Sequence, residues 1–190
     1  MSTPNRLNRI AASWMASICL AILLLVVSAC STTISAPATP TQTSTGAAST
    51  TTKENQIAQT VFQAINKSRA DNKLPPLKWS NALVSSARQH NTAMQAANTL
   101  SHQLPGEPDL GAREHQQGVN WIWAAENIGE TTEQSVNGAL ALHTAMMNER
   151  PPDNGHRLNI LTTTGTMVGV AILLDQQNGK LWLTEDFAKV

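Results

Sequence analysis

Two histidines and two glutamates stand out by their surroundings. His102 follows Thr99-Leu100-Ser101, and Glu126 with Asn127 interrupts the apolar stretch Ala124–Ile128. Glu149 lies two residues before Pro151-Pro152, and His156 opens the run His156-Arg157-Leu158-Asn159-Ile160-Leu161. Imidazoles and carboxylates are the groups that ligate divalent metals and move protons near neutral pH. A carboxylate within an apolar stretch, as at Glu126, requires a partner because burying it alone is costly. No two of these residues share a helix face at i, i+4, so spacing alone leaves two readings open for each. His156 is either a site residue or a turn histidine satisfied by backbone groups, and Glu149 is either a site acid or a solvated helix end.

Other chemistries are absent. The chain contains no H-E-x-x-H, G-x-S-x-G or S-x-x-K motif, no phosphate-binding glycine loop and no dinucleotide fingerprint. Of the remaining histidines, His90 and His143 read as satisfied helix-face residues and His115 as exposed. Trp79, Trp121, Trp123 and Trp182 read as core, as do Met146 and Met147.

The 190 residues carry 13 basic and 13 acidic side chains, yet the balance is uneven. Residues 1–30 contribute Arg6 and Arg9 without an acid, residues 31–53 add Lys53, and residues 54–190 hold 10 basic and 13 acidic groups. A mildly acidic domain excludes general affinity for nucleic acid. The basic start is followed by an unbroken apolar run, Ile18–Val27, and then Ser28-Ala29-Cys30, the layout of an export signal. Val27-Ser28-Ala29-Cys30 resembles the bacterial lipobox, in which the signal (1–29) is cut before a Cys that receives lipid, here Cys30. Two other readings stand: an uncleaved span from Ala11 to Ala29, near the ~20 residues a bilayer needs, or simple secretory cleavage. All three export the domain. Cys19 leaves with the signal and Cys30 is acylated, so no disulfide and no thiol nucleophile is expected in the folded part. Thirteen of the 23 residues in 31–53 are Ser or Thr, which reads, with Cys30, as a flexible linker (30–53).

The domain, residues 54–190, begins with a helix. Thr51 and Glu54 fit a capping box, and Ile57, Val61 and Ile65 follow at helical spacing up to about Asn72, before Pro75-Pro76. Ser80 caps a second helix whose face is Leu83, Ala87, His90, Met94 and Ala97. A short helix starts at Asp109 and ends before Gly118. Val119–Ile128 reads as a strand, and Thr131 with Gln134 reads as a capping box for a helix that Pro151 and Pro152 end. Met167–Leu174 is apolar throughout, as a strand buried on both faces would be. Asn178-Gly179 then marks a hairpin turn, with Leu181–Phe187 returning. Helices first and a hairpin last make an α+β domain, and 137 residues suffice for a core without disulfides.

The runs LPPLKW (74–79), LSH (100–102), AENI (125–128), MMNERPPDNGHRLNIL (146–161) and the terminal VGVAI and LWLTEDF resemble the CAP superfamily. These are secreted SCP-like proteins related to cysteine-rich secretory and pathogenesis-related proteins. The resemblance spans residues 55–190. It implies a three-layer α-β-α sandwich with a small, mainly antiparallel sheet. It also implies a cleft tetrad of His102, Glu126, Glu149 and His156. Within the family the two histidines can hold a divalent metal such as zinc, with the acids near its bound water, so His102 and His156 become the expected metal ligands. Two protein ligands make weak, exchangeable binding the expectation. Many bacterial relatives carry Ser in place of Glu149, Gly in place of Ala125 and an aromatic residue in place of Met146. The resemblance therefore implies an exported, lipid-anchored protein at the bacterial cell envelope, whose cleft takes a divalent metal or a small ligand (lipid, sterol or peptide). Its partners are the membrane, through the lipidated N-terminus, and a small ligand or another protein. Two alternatives use the same residues. One is a metal-dependent peptidase or esterase with Glu126 or Glu149 as general base, and the other is an adhesion or signalling module whose cleft is vestigial.

Overall fold

The computed structural model describes residues 45–190, and the expected signal (1–29), Cys30 and the first part of the linker lie outside the described residues. Helix α1, Thr45–Asp71, starts earlier than the capping box at Thr51 and Glu54 predicts. Residues 45–53, read from composition as flexible linker, are helical, because extending an existing helix costs far less than nucleating one. Glu54 does not cap this helix. Its Oε1 accepts the amide of Leu174 at 2.8 Å. The packed face of α1 is Ile57, Ala58, Val61 and Ile65, all buried. No helix among the described residues is long and apolar enough to cross a membrane.

A two-residue strand, β1 (Lys78–Trp79), leads into α2, Asn81–Ala97, where the Ser80 side chain accepts the Leu83 amide as expected. Leu83, Ala87, His90 and Met94 are buried, whereas Ala97, in the last turn, is exposed. Helix α3, Leu110–Gln116, is capped by Asp109. Strand β2 runs Trp123–Thr131 and not from Val119. Its partner β4 stops at Lys189, opposite Trp123, so residues 119–121 have no strand to join. Trp121 is consequently 41% exposed rather than core, its Nε1 donating to the Gly111 carbonyl at 3.1 Å. Helix α4, Val136–Asn148, is capped by Ser135, which accepts the amides of Asn137 and Gly138. Thr131 is the last residue of β2 instead of a cap. Helix α5, Gly155–Ile160, precedes the hairpin of β3 (Met167–Asp175) and β4 (Lys180–Lys189). Gly179 closes that turn at φ 65°, a conformation glycine adopts without strain.

The sheet order is β1-β3-β4-β2, antiparallel except for the short β1·β3 pairing. Alternation along β3 and β4 assigns their side chains to two layers. Val168, Val170, Ile172, Leu181, Leu183 and Phe187 join Val61 and Ile65 of α1, Ala139 and Met146 of α4 and Ile160 of α5. On the opposite face Trp182 packs with Met94 and Ile128, and Ala188 with Leu83 and Val119. The result is the expected α+β arrangement, a mixed and mostly antiparallel sheet between helical layers.

Helix α2 lies so close to the sheet that only glycine fits beneath it at position 169. A Cβ there would sit 2.2 Å from the Val84 backbone nitrogen and 2.3 Å from the Leu83 carbonyl carbon. Gly169→Ala should therefore destabilise the domain by about 1–3 kcal/mol or more, seen as a lower urea midpoint. Gly155→Ala, where an added Cβ meets nothing within 4 Å, should leave the midpoint nearly unchanged.

Candidate functional site

Among the described residues strand β2 pairs only with β4, so no described strand lies along its other edge. Along β2, Ala125 packs toward the α1/α4/α5 layer while Ile128 packs toward α2, and Glu126 shares the side of Ile128. Glu126 is 8% exposed and meets two groups from that layer. His102, in the loop after α2, contacts Glu126 Oε1 through Nδ1 at 2.8 Å, and Arg113 of α3 donates Nη2–H to Glu126 Oε2. The second acid–imidazole pair comes from the other layer. Glu149 follows the last residue of α4, and its Oε1 lies 2.5 Å from His156 Nδ1. Its Oε2 accepts the amides of His156 at 3.0 Å and Arg157 at 3.3 Å. Asn154 makes no side-chain cap for α5, so the Glu149 carboxylate takes over the free amides of that helix start. Burial opposes ionisation of Glu149, but the hydrogen bonds from His156 and Arg157, with the nearby His156 charge, hold its pKa below the usual value.

The two pairs meet over the free edge of β2. A cavity of about 320 Å³ is lined by His102, Glu126, Glu149, Asp153, His156 and Asn159, so all four expected residues converge. Asn127 and Asn159 hold the halves together. Asn159 Nδ2 donates to the Glu126 carbonyl at 3.3 Å and to Asn127 Oδ1 at 2.9 Å. Asn127 Nδ2 donates to the His156 carbonyl at 3.2 Å and to Glu185 Oε2 at 2.9 Å. Ala125, which stands where many relatives have Gly, packs into the core, not the cleft wall.

Behind Glu126 lies a buried polar cluster that the sequence reading missed. Arg113, Glu114, His90 and Asp186 are all inaccessible to solvent. His90 lies on the buried face of α2 as expected but is satisfied at one nitrogen only: Nδ1 pairs with Glu107 Oε1 at 2.8 Å, while Nε2 lies 3.7 Å from Glu126 Oε1 and has no hydrogen-bond partner among the described residues. Four carboxyl groups (Glu107, Glu114, Glu126, Asp186) thus share one arginine. Desolvation raises the Glu114 pKa to about 8, with Arg113 opposing and Glu126 adding to the rise. Desolvation first, then Glu126, also raises Asp186 well above the ordinary range. On the other face burial raises Glu185 to about 7, opposed by its hydrogen bond from Asn127. A signal for part of this was present: Thr184-Glu185-Asp186 is polar inside a strand buried on both faces, so each acid had to enter one of the two layers. Elsewhere, His143 bonds to Ser68 Oγ at 2.9 Å, with its pKa lowered by burial, and His115 is exposed.

The donor set fits a weakly held divalent metal. Each cleft imidazole presents Nδ1 to a carboxylate, which leaves Nε2 as the nitrogen for a ligand, and a carboxylate on the far ring nitrogen is the usual partner of a metal-binding histidine. Among the described residues no group of three His, Asp or Glu side chains converges to enclose a metal. The fit is to two imidazoles with solvent completing the shell, not to a closed four-ligand site.

A helix-covered sheet with a His/Glu cleft on its free edge defines a class that the comparisons make specific. Residues 62–187 match the CAP model, the cysteine-rich secretory protein family, and the chain belongs to that family. No curated protein sequence matches it. Among solved structures, it is similar to an extracellular protein containing an SCP domain from Bacillus anthracis, at 26% identity and a TM-score of 0.65, covering 82% of this chain and 45% of that one. An outer surface protein from Borrelia burgdorferi shares the fold at 17% identity and a TM-score of 0.60, covering 70% and 92%. A cysteine-rich secretory protein from Staphylococcus aureus shares it at 17% identity and 0.57, covering 73% and 40%. The chain thus spans less than half the length of the first and third of these proteins.

The raised carboxyl groups predict a pH dependence. Glu114 is protonated in the folded state up to about 8 but ionises near 4.5 when unfolded. Between those values the folded state binds the extra proton, so stability falls as pH rises through the window and levels off above it. Thermal melts across that window should show Glu114→Gln with a shallower decline than the wild type.

Proposed function

We propose that this is an extracytoplasmic binding protein whose cleft takes a divalent metal, zinc being the first candidate, together with a small ligand at the cell envelope. The observation that carries the reading is the doubled carboxylate–imidazole pair, His102–Glu126 and His156–Glu149, around one cavity. When bound, a metal would supply a Lewis-acidic centre for an oxygen of the ligand. His102 and His156 would hold it, and Glu126 and Glu149 would fix both rings. Binding is favoured over turnover by what the acids already do. Glu126 is engaged by His102 and Arg113, and Glu149 by the His156 ring and two amides, so neither carboxylate is left to serve as general base. Location outside the cytoplasm is supported by the export layout of residues 1–30 and by the extracellular relative from B. anthracis. Anchoring through a lipidated Cys30 rests on Val27-Ser28-Ala29-Cys30.

Calorimetric titration with zinc tests the metal reading. The wild type should bind, His102→Ala and His156→Ala should each abolish binding, and Glu126→Gln should weaken it roughly 10–100-fold by freeing the His102 ring. Equal binding by wild type and both His variants would sink the assignment. Anchoring is tested by metabolic labelling with a fatty acid in a bacterial host. Label should enter the wild-type protein and not Cys30→Ser, and an unlabelled wild type would reject lipidation.

A further inference from the structure

At the edge of the sheet opposite the His/Glu cleft, β1 ends after Trp79 and the chain turns at Ser80 into α2, so from Gly169 on β3 pairs with β4 and has no described strand on its other side. The gap between α1 and α2 over that edge is a cavity of about 400 Å³ with Val170 in its floor. Trp79 forms one wall and is held firmly. Its ring meets Phe62 edge-on at 5.2 Å, and its Nε1 donates to Asn81 Oδ1 at 2.8 Å. The rim carries the side-chain amides of Asn55, Gln59 and Asn81 and the guanidinium of Arg88. Arg88 Nη2 donates to Asn55 Oδ1 at 2.9 Å, which bridges α2 to α1 across the gap. Arg88 Nε is buried and lacks a partner among the described residues. No described carboxylate pairs with Arg88 either.

These groups specify a ligand chemistry. A guanidinium positioned by a neutral amide and without a carboxylate counter-ion among the described residues is arranged to receive an anionic oxygen on its terminal nitrogens. Side-chain amides offer donor and acceptor together, as neighbouring hydroxyl groups do, and the indole gives an apolar surface beside them. The volume sits near the lower end of the roughly 300–1,000 Å³ common for small-molecule pockets, enough for one or two sugar rings. We propose that this cavity binds a carboxylate-bearing saccharide, with its carboxylate on Arg88 and its ring against Trp79. The site is separate from the cleft and does not depend on metal.

The test uses the purified full chain and three probes: D-glucuronate, D-glucose and acetate, with binding followed by the indole N–H resonance of Trp79. Glucuronate should shift that resonance saturably, and glucose and acetate should each bind at least roughly tenfold more weakly. Arg88→Gln should remove the preference for glucuronate over glucose, and His102→Ala should change nothing. Should Arg88→Gln lower the unfolding midpoint, Gln59→Ala on the exposed rim gives an independent variant, expected to erode the preference for glucuronate over acetate. Absence of a saturable shift overturns the proposal. So does acetate binding as tightly as glucuronate, which would mark a simple anion site, or an unchanged preference in Arg88→Gln.

Discussion

Because β2 has a neighbour on one side only, the Glu126 carbonyl faces outward and is taken by Asn159 of α5, while the Glu126 side chain turns toward the α2/α3 layer. One residue thus touches both helical layers at an edge of the sheet, where the layers can meet. The cleft depends on this constraint. His102 arrives from one layer and His156 from the other, and each ring is oriented by an acid that comes with it. Were another strand to pair with β2, the two halves would be separated and Asn127 and Asn159 would have no place to join them.

Electrostatics reinforce the geometry. Within the α2/α3 cluster Arg113 is the one buried arginine or lysine among the described residues, and it faces Glu107 and Glu126, with Glu114 and Asp186 close behind. Desolvation takes the Glu114 pKa to about 8 and also raises that of Asp186, which disfavours their charged forms and leaves the arginine to hold the Glu126 carboxylate against His102. Removing one member of so tight a set leaves an uncompensated buried charge, which costs far more than an exposed pair is worth. On the other face Asn127 uses both its N–H groups and its oxygen, on Glu185, the His156 carbonyl and Asn159, so His156 is placed with similar rigidity. A cleft built this way is preorganised, and preorganisation lets two imidazoles act together on a ligand.

Helices with strong periodicity, the caps Ser80 and Asp109, the hairpin at Asn178-Gly179 and the apolar strands of that hairpin were legible from local pattern, because each follows from nearby residues. The errors fall where a distant element decides. Residues 119–121 looked like strand but lie beyond the reach of β4, which leaves Trp121 half-exposed. Glu54 looked like a cap but serves an unpaired amide of β3. The cluster of Arg113, Glu114 and Asp186 left little trace, since its members are far apart in sequence and an acid on a helix normally reads as solvated.

What the amino-acid sequence determined by itself is therefore the set of elements, the α+β class, the family and the identity of the four cleft residues. Residue order and hydrophobic period carry the elements and the class directly, while the family and the four residues follow from the motifs' resemblance to the CAP superfamily. Only the tertiary structure decided that His102 and Glu126 face His156 and Glu149 across a sheet edge, and that a buried arginine, the buried Asn127 and the part-buried Asn159 hold them there. The strand period of two assigns neighbouring residues to opposite layers, so groups adjacent in sequence part company and groups far apart meet.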